Sequence, residues 1–470
     1  MPSKDKRALI ADPTRTPACE PADARPAAPR QDGTRVALDD ALDALLRFGA
    51  ALLRSGATAY RTRESMILIA RALGHDALSV GFTTGSITAT LRRSTDHATM
   101  IREIEPHGVN ARRIGALQQL AETVGPGTTP RDIAAKITAI EAAPPRFSHV
   151  ETAAAGVACG AFAFLNDGGL PEVITAAIAS GIGQWLRVSL MRRGLNHHGV
   201  IALCAVVAAG LYAFMTLPLT RLGVTTWHHP AGLISATLFL IPGFPLVAAL
   251  LDLLEHEAVT AVTRFASAVT ILLAASLGLS LVIAAAGLDV VSQPPLAIAM
   301  PAKLLLRAVA SFAGGCGFAM LFNSSGRAVL AIGLLALGAN ELRLSLHDAG
   351  MSLALATLLA ATAVGLVASL LHRRLHEPRI AITVPSIIIM TPGLYAFKMI
   401  VLFGQGRVPE ALEAASLFAF VIGAMGAGLA SARFLSEGWR FADPPELRPQ
   451  AGDSSDVAGA ARPRNRSSIR

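Results

Sequence analysis

The sequence predicts an α-helical polytopic membrane protein: ten transmembrane helices forming two inverted five-helix repeats, with a small α+β cytosolic domain ahead of them. Three observations carry this. Of 470 residues, 52% are hydrophobic and only 16% charged, and the mean hydropathy of +0.50 is too apolar for an ordinary water-soluble protein. Two bilayer-long apolar runs break near their middles, at Leu240-Ile241-Pro242-Gly243-Phe244-Pro245 and at Met390-Thr391-Pro392-Gly393. Several short motifs recur in order in the two halves of the apolar region.

Residues 1–35 are rich in Pro, Ala, Arg and Asp, lack a signal peptide's apolar core, and read as a disordered tail; 436–470 reads the same way. Residues 36–147 form the α+β domain. Leu38 to Ser55 and Thr58 to Leu73 carry apolar residues at helical spacing around Gly56, and Gly74 ends the second helix. Three short strands follow, Ala77–Phe82, Ser86–Arg92 and His97–Ile104. Val109–Val124 is a helix, and a last one opens at Thr129-Pro130 with Asp132 in its first turn.

Ten spans are expected at about 150–166, 171–190, 198–217, 231–254, 265–287, 304–323, 327–343, 350–371, 380–403 and 411–434. They divide into repeats over 148–290 and 296–435. Cys159-Gly160 followed by Asn166 is echoed by Cys316-Gly317 followed by Asn323; Leu186-Arg187-Val188-Ser189-Leu190 by Leu342-Arg343-Leu344-Ser345-Leu346; Gly194 by Gly350; Pro242-Gly243 by Pro392-Gly393. Five spans is an odd number, so the two copies cross the membrane in opposite senses. With the α+β domain in the cytoplasm, Arg192-Arg193, Arg373-Arg374, Arg433 and Arg440 fall inside, and Asp167, Asp289, Asp348 and Gly406 outside. Both termini are placed in the cytoplasm.

The net charge of +8 lacks a basic stripe interleaved with aromatics, so nucleic acid is not an expected partner. No phosphate-binding glycine loop of the Walker type occurs, and Cys19, Cys159, Cys204 and Cys316 show no metal-ligand spacing. His197-His198 and His228-His229 lack a third ligand nearby. No metal and no cofactor is expected. In the α+β domain, Arg61, Arg63 and Glu64 read as a solvated helix face, and Ser79, Thr83, Thr84, Ser86 and His97 form no nucleophile motif. The protein is not expected to be an enzyme.

Proline removes an amide donor and glycine relaxes the backbone, and backbone groups freed at membrane depth need partners, so a broken span faces a cavity. Paired breaks point to a transporter's substrate site, here Pro242, Gly243, Thr391, Pro392 and Gly393. Lys398 either holds a substrate carboxylate or snorkels to the outer face. Asp252 near the end of its span, with Arg264 just beyond, is a coupling carboxylate, the partner of a substrate amine, or a residue reaching water; an ionisable group at a helix centre costs about 2.5–3.5 kcal/mol. Glu341 is either a second coupling carboxylate or the partner of Arg343. Asn166 and Asn323 read as caps before substrate ligands, and Trp185 and Trp227 as interfacial aromatics.

The order of Gly49-Ala50-Ala51-Leu52-Leu53-Arg54-Ser55-Gly56-Ala57, Leu240-Ile241-Pro242-Gly243, Asp252, Arg264, Phe322-Asn323 and Thr391-Pro392-Gly393 resembles the threonine/serine exporter family over about residues 39–435. The resemblance implies a cytoplasmic N-terminal domain, ten spans in the cytoplasmic membrane, and export of threonine and serine driven by the proton motive force. Protons, a small amino acid and the bilayer are then the partners; homo-oligomerisation is left open. Relatives split into two polypeptides are linked to succinate export, which keeps a dicarboxylate exporter as the alternative, with Arg187, Arg307, Arg343 and Lys398 as cationic contacts. A membrane-tethered enzyme or sensor acting through the cytosolic domain is the other. Leu402 stands where the second half would match Asp252, so coupling is asymmetric.

Overall fold

The structure, a computed structural model, describes residues 32–83, 85–104, 108–125, 127–144, 150–223, 230–288 and 298–437. Residues 1–31 and 438–470 of the expected tails, Thr84, Trp227, His228-His229, Asp289 and Arg440 lie outside the described residues, while 32–35 and 436–437 are helical and not part of a disordered tail.

The N-terminal region is α+β. Helix α1 (Asp32–Arg54) buries Leu38, Leu42, Leu45, Phe48 and Leu52 at helical spacing against a three-stranded antiparallel sheet. The sheet runs β1 (Ala77–Phe82), β2 (Ser86–Arg93), β3 (Asp96–Glu103) in sequence order. Its centre strand turns Ile87, Ala89 and Leu91 inward. Burying a side chain the size of Ile87 or Leu91 contributes roughly 1.5–3 kcal/mol. Helix α2 (Ala59–Ala72) packs on α1 through Met66 and Ile69. Helix α3 (Ala111–Thr123) starts at Asn110, whose side chain accepts from the Arg113 amide. Helix α4 (Pro130–Ala142) opens with a capping box, Thr129 and Asp132 each accepting the other's amide hydrogen.

The remainder is helical: α5 (Glu151–Leu165), α6 (Leu170–Met191), α7 (His197–Arg221), α8 (Pro230–Ala236), α9 (Gly243–Leu254), α10 (Ala258–Ala286), α11 (Met300–Leu321), α12 (Gly326–Asp348), α13 (Leu353–Leu375), α14 (Arg379–Ile388), α15 (Gly393–Gly404) and α16 (Val408–Glu437). Among the described residues seven of these, α6, α7, α10, α11, α12, α13 and α16, are long and apolar enough to cross a bilayer. The pair α14 and α15, bent by 56° at its break, makes an eighth candidate. Helix α5 and the stretch Leu238–Leu254 are shorter and apolar. The chain is therefore a multi-pass helical membrane protein with seven to eight spans by length and composition. Exposed Leu, Val and Phe side chains along α10, α11 and α12 give these helices an outward apolar surface, as a lipid solvent requires. Helices α5 and α11 lie against each other, and a Cβ on Gly317 would stand 2.8 Å from the Ala154 carbonyl oxygen, so only glycine permits that approach.

Candidate functional site

The two Pro-Gly breaks adopt one conformation. Pro242 has φ −80° and ψ 54°, Pro392 φ −79° and ψ 50°. In each, the glycine amide donates two residues back at 2.8 Å, Gly243 to the Ile241 carbonyl and Gly393 to that of Thr391, the signature of an inverse γ-turn. The helix then restarts identically, Leu246 and Ala396 donating to the proline carbonyls at 3.0 Å. Local geometry thus spends the two glycine amides inside the turn.

The breaks also touch. A Cβ on Gly393 would lie 2.5 Å from Ile241 Cδ1 and 2.6 Å from Leu238 Cδ1. One on Gly243 would lie 3.3 Å from Ile388 and 3.6 Å from Thr391 Oγ1. Thr391 Oγ1 is itself buried, with no hydrogen-bond partner among the described residues. A buried hydroxyl without a partner costs about 1–3 kcal/mol, so it is a group waiting for an acceptor or donor.

Each break is held by an arginine from the recurrent Leu-Arg-x-Ser-Leu motif. Arg187 Nη1 donates to the Phe239 carbonyl at 3.2 Å, and Arg343 Nη1 to the Met390 carbonyl at 3.2 Å. An amide side chain three residues earlier orients each guanidinium: Gln184 Oε1 at 3.5 Å and Asn340 Oδ1 at 3.2 Å. Those amides are anchored in turn, Gln184 on Glu151 at 2.7 Å and Asn340 on Ser311 at 2.8 Å. The sequence repeat marked both arginines, but nothing in it indicated that their targets are the carbonyls before the breaks.

Of the other expected site residues, Lys398 is half-buried on α15, close enough to Glu413 of α16 for their charges to interact. Glu341 on α12 has a buried Oε1 without a hydrogen bond among the described residues and lies in the field of Arg307, which pairs with Asp348 at 2.5 Å. Asp252 is elsewhere. Nine residues beyond Gly243, it stands about 13 Å further along α9 at the usual helical rise, fully buried. Its Oδ1 accepts the Ala59 amide at 2.8 Å, and Oδ2 faces Arg264 Nε at 3.1 Å. Arg264 also donates to the Ala57 carbonyl. Asp252 and Arg264 therefore meet the N-terminal region rather than the breaks.

Arg63 departs from the solvated-face expectation. It pairs with Glu257 at 2.6 Å and donates to the Val80 carbonyl, because α2 lies against the α9–α10 turn instead of facing water. Arg61 does pair with Glu64 on its own helix. Asn166 caps α5 through the Phe162 carbonyl at 2.8 Å, as its position suggests. Asn323 ends α11 in the left-handed cap conformation, φ 55°, and its Nδ2 also donates to Asn110 Oδ1 at 3.0 Å. Glu377, between α13 and α14, lies against Gly115 of α3, and burial pushes its carboxyl above the ordinary value. Glu172, buried in the first turn of α6, was not singled out by the sequence; its signal is an acid directly after Pro171 at the head of an apolar run. Among the described residues no cluster of three or more His, Cys, Asp or Glu could hold a metal ion.

Residues 43–286 match the family model "Putative threonine/serine exporter", and residues 307–435 match "Threonine/Serine exporter, ThrE". The chain belongs to the threonine/serine exporter family. Exporter-family similarity extends along nearly the whole chain: a "Probable threonine/serine exporter" of Mycobacterium tuberculosis is 26% identical over 446 residues, covering 89% of this chain and 82% of that protein. A "Probable succinate transporter subunit YjjP" of Klebsiella aerogenes is 24% identical over 229 residues, 48% of this chain and 86% of its own length. The Escherichia coli protein of the same description is 24% identical over 247 residues, 52% of this chain and 93% of its own. No solved structure matches this exporter-family chain.

Proposed function

We propose that the protein exports threonine and serine across the cytoplasmic membrane in exchange for protons, with the substrate held between the two Pro-Gly breaks. The observation that carries this is their meeting: two unwound points with one backbone conformation, in contact, beside a buried and unpartnered Thr391 hydroxyl. Helix N-termini attract anions, so the substrate carboxylate is assigned to the first turns of α9 and α15. Because Gly243 and Gly393 spend their amides on the turns, Phe244 and Leu394 supply the donors. Thr391 Oγ1 takes the substrate hydroxyl. A site built to bond a hydroxyl rejects an analogue lacking it, which suits threonine and serine over valine and alanine.

In this reading α5, the broken span α8–α9 and the broken span α14–α15 also cross the membrane, giving ten spans in inverted repeats over 148–290 and 296–435. The α+β domain, 36–147, then lies in the cytoplasm with both termini. Its contacts support that orientation: it meets the α9–α10 turn, the α11–α12 turn and Glu377, connections on the same face of a ten-span topology. Asp252 and Glu341 are the carboxylates assigned to proton coupling, and Lys398 with Glu413 lines the approach to the second break.

Dicarboxylate export is the second reading. It is favoured by the similarity to the two succinate transporter subunits and by the two break-bound guanidiniums, Arg187 and Arg343. Proteoliposomes loaded with labelled threonine or labelled succinate, with and without an imposed proton gradient, separate the readings. Gradient-dependent movement of threonine alone supports the first; succinate alone moves the assignment to the arginines; movement of neither removes both.

A further inference from the structure

The α+β domain grips the membrane body at two places, the Asp252 end of α9 and the α11–α12 turn. At the Asp252 end, α2 begins with Thr58, whose side chain makes no cap bond, and the missing acceptor comes from Asp252, a residue of another element. Arg264, Glu257 and Glu255 complete that contact: Arg264 on the Ala57 carbonyl, Glu257 on Arg63, and Glu255 on Arg433, whose guanidinium lies 4.8 Å over the Tyr60 ring. At the α11–α12 turn the Phe322 ring, itself edge-on to the Phe244 ring of α9 at 5.4 Å, stands next to the domain. The Phe322 carbonyl accepts the Ala111 amide at 2.8 Å, and the Asn323 carbonyl the Arg112 amide at 3.3 Å. Asn323 Nδ2 also donates to Asn110, the N-cap of α3.

Two helix N-termini of the domain are thus satisfied by the membrane body, α2 by a carboxylate beyond the first break and α3 by carbonyls at the end of α11. Both helix ends are met through polar groups, while the apolar cluster of the domain runs on into the membrane body. Polar contacts at two helix ends can open without unfolding the domain's own core of Leu42, Phe48, Ile87 and Leu91.

We infer that the α+β domain is a strap across the two halves of the membrane body, latched at Asp252, and that it must let go of one half before α9 can move. The strap spans α9–α10 on one side and α11–α12 with Glu377 on the other, so any rocking of one half against the other stretches it. This rests on the export reading in one respect, the movement of the two halves during transport. The latch at Asp252 stands without it.

The test uses the full chain in a background with its cysteines replaced, in two arms. In the first, spin labels at exposed Gln119 on α3 and exposed Arg193 beyond α6 report the distance between strap and body. Asp252→Ala is expected to add a second, longer distance absent from the parent; an unchanged distribution overturns the latch. If that variant fails to insert, Asp252→Asn combined with Asn323→Ala is read the same way. In the second arm, Asn110→Cys with Asn323→Cys is joined by a short reversible thiol cross-linker. Threonine efflux is expected to fall about tenfold, a barrier of the size that a coupling between sites supplies, and to return on reduction. Undiminished efflux with the cross-link in place overturns the strap. A parent chain that moves neither threonine nor serine removes the export reading, and the label distances alone then decide the latch.

Discussion

Asp252 caps a helix that begins 193 residues before it: its Oδ1 accepts the Ala59 amide at 2.8 Å while Arg264 faces its other oxygen. The carboxylate has no solvent exposure, so its pairing decides its cost. Asp252→Ala leaves Arg264 buried with only the Ala57 carbonyl, and about 3–5 kcal/mol of stability is expected to go, the range for breaking a buried pair. Asp252→Asn keeps an oxygen for Ala59 and should lose less. Thermal unfolding of the purified protein checks this, and Asp252→Ala with Arg264→Ala together should cost less than the sum of the two. Strict additivity would mean the pair does not interact.

Thr391 separates stability from binding. Its hydroxyl is buried and unpartnered among the described residues, so Thr391→Val should leave the melting temperature unchanged or slightly raised. The same change should raise the threonine concentration needed for half-maximal efflux. A protein that melts much lower, with its affinity intact, would show the hydroxyl to be structural.

The two break glycines should tolerate change unequally. A methyl at Gly393 runs into Ile241 and Leu238 at 2.5 and 2.6 Å, whereas at Gly243 the nearest atoms are 3.3 Å away. Gly393→Ala is therefore expected to cost about 1–3 kcal/mol and most of the efflux rate, with Gly243→Ala closer to the parent. Equal effects in a side-by-side efflux and melting comparison would argue against the packed meeting of the breaks.

Arg343→Lys removes the planar fork that reaches both Asn340 and the Met390 carbonyl, and should weaken the second break by about 1.5–3 kcal/mol, as for hydrogen bonds to a charged group. Arg187→Lys should do the same at the first break. Hydrogen exchange at the two breaks is the measurement; faster exchange confined to the mutated half is expected. No change in either half would leave the arginines without a holding role.

His75 sets a pH limit for the α+β domain. The ring is buried at the turn between α2 and β1, and burial first, then the Arg93 charge, hold its pKa below the ordinary 6.5, with Asp76 opposing them. A depressed histidine pKa means the unfolded chain takes up the proton first. Stability of the domain therefore declines as pH falls below 6.5, and the loss is complete only below the folded value. Limited proteolysis of the domain between about pH 7.5 and about pH 5.5 should show this decline, and His75→Gln should flatten it.

The breaks were legible because proline and glycine act locally: the same two residues that interrupt each apolar run in sequence form the turn from which the next helix, α9 or α15, starts. The capping box at Thr129 and Asp132 was legible for the same reason. The repeat revealed Arg187 and Arg343 as related positions, since motif order survives in a linear reading. What they bond to did not, because the Met390 carbonyl is 47 residues from Arg343 and carries no side-chain signature. Asp252 stood out as an ionisable group in an apolar run, but a carboxylate aimed at a substrate and one capping a distant helix look alike in sequence. A broken span was expected to free backbone groups; at Gly243 and Gly393 the inverse γ-turn consumes the amides, a detail set by φ and ψ and not by residue type.

The Ala59–Asp252 bond also imposes a schedule on biosynthesis. At roughly 5–20 residues per second, the carboxylate that finishes the first turn of α2 leaves the ribosome about 10–40 seconds after the amide that needs it, and the Phe322 carbonyl follows later still. Throughout that interval the nascent domain has no membrane partner to lean on, and Phe48, Met66, Ile87 and Leu91 must hold it closed unaided.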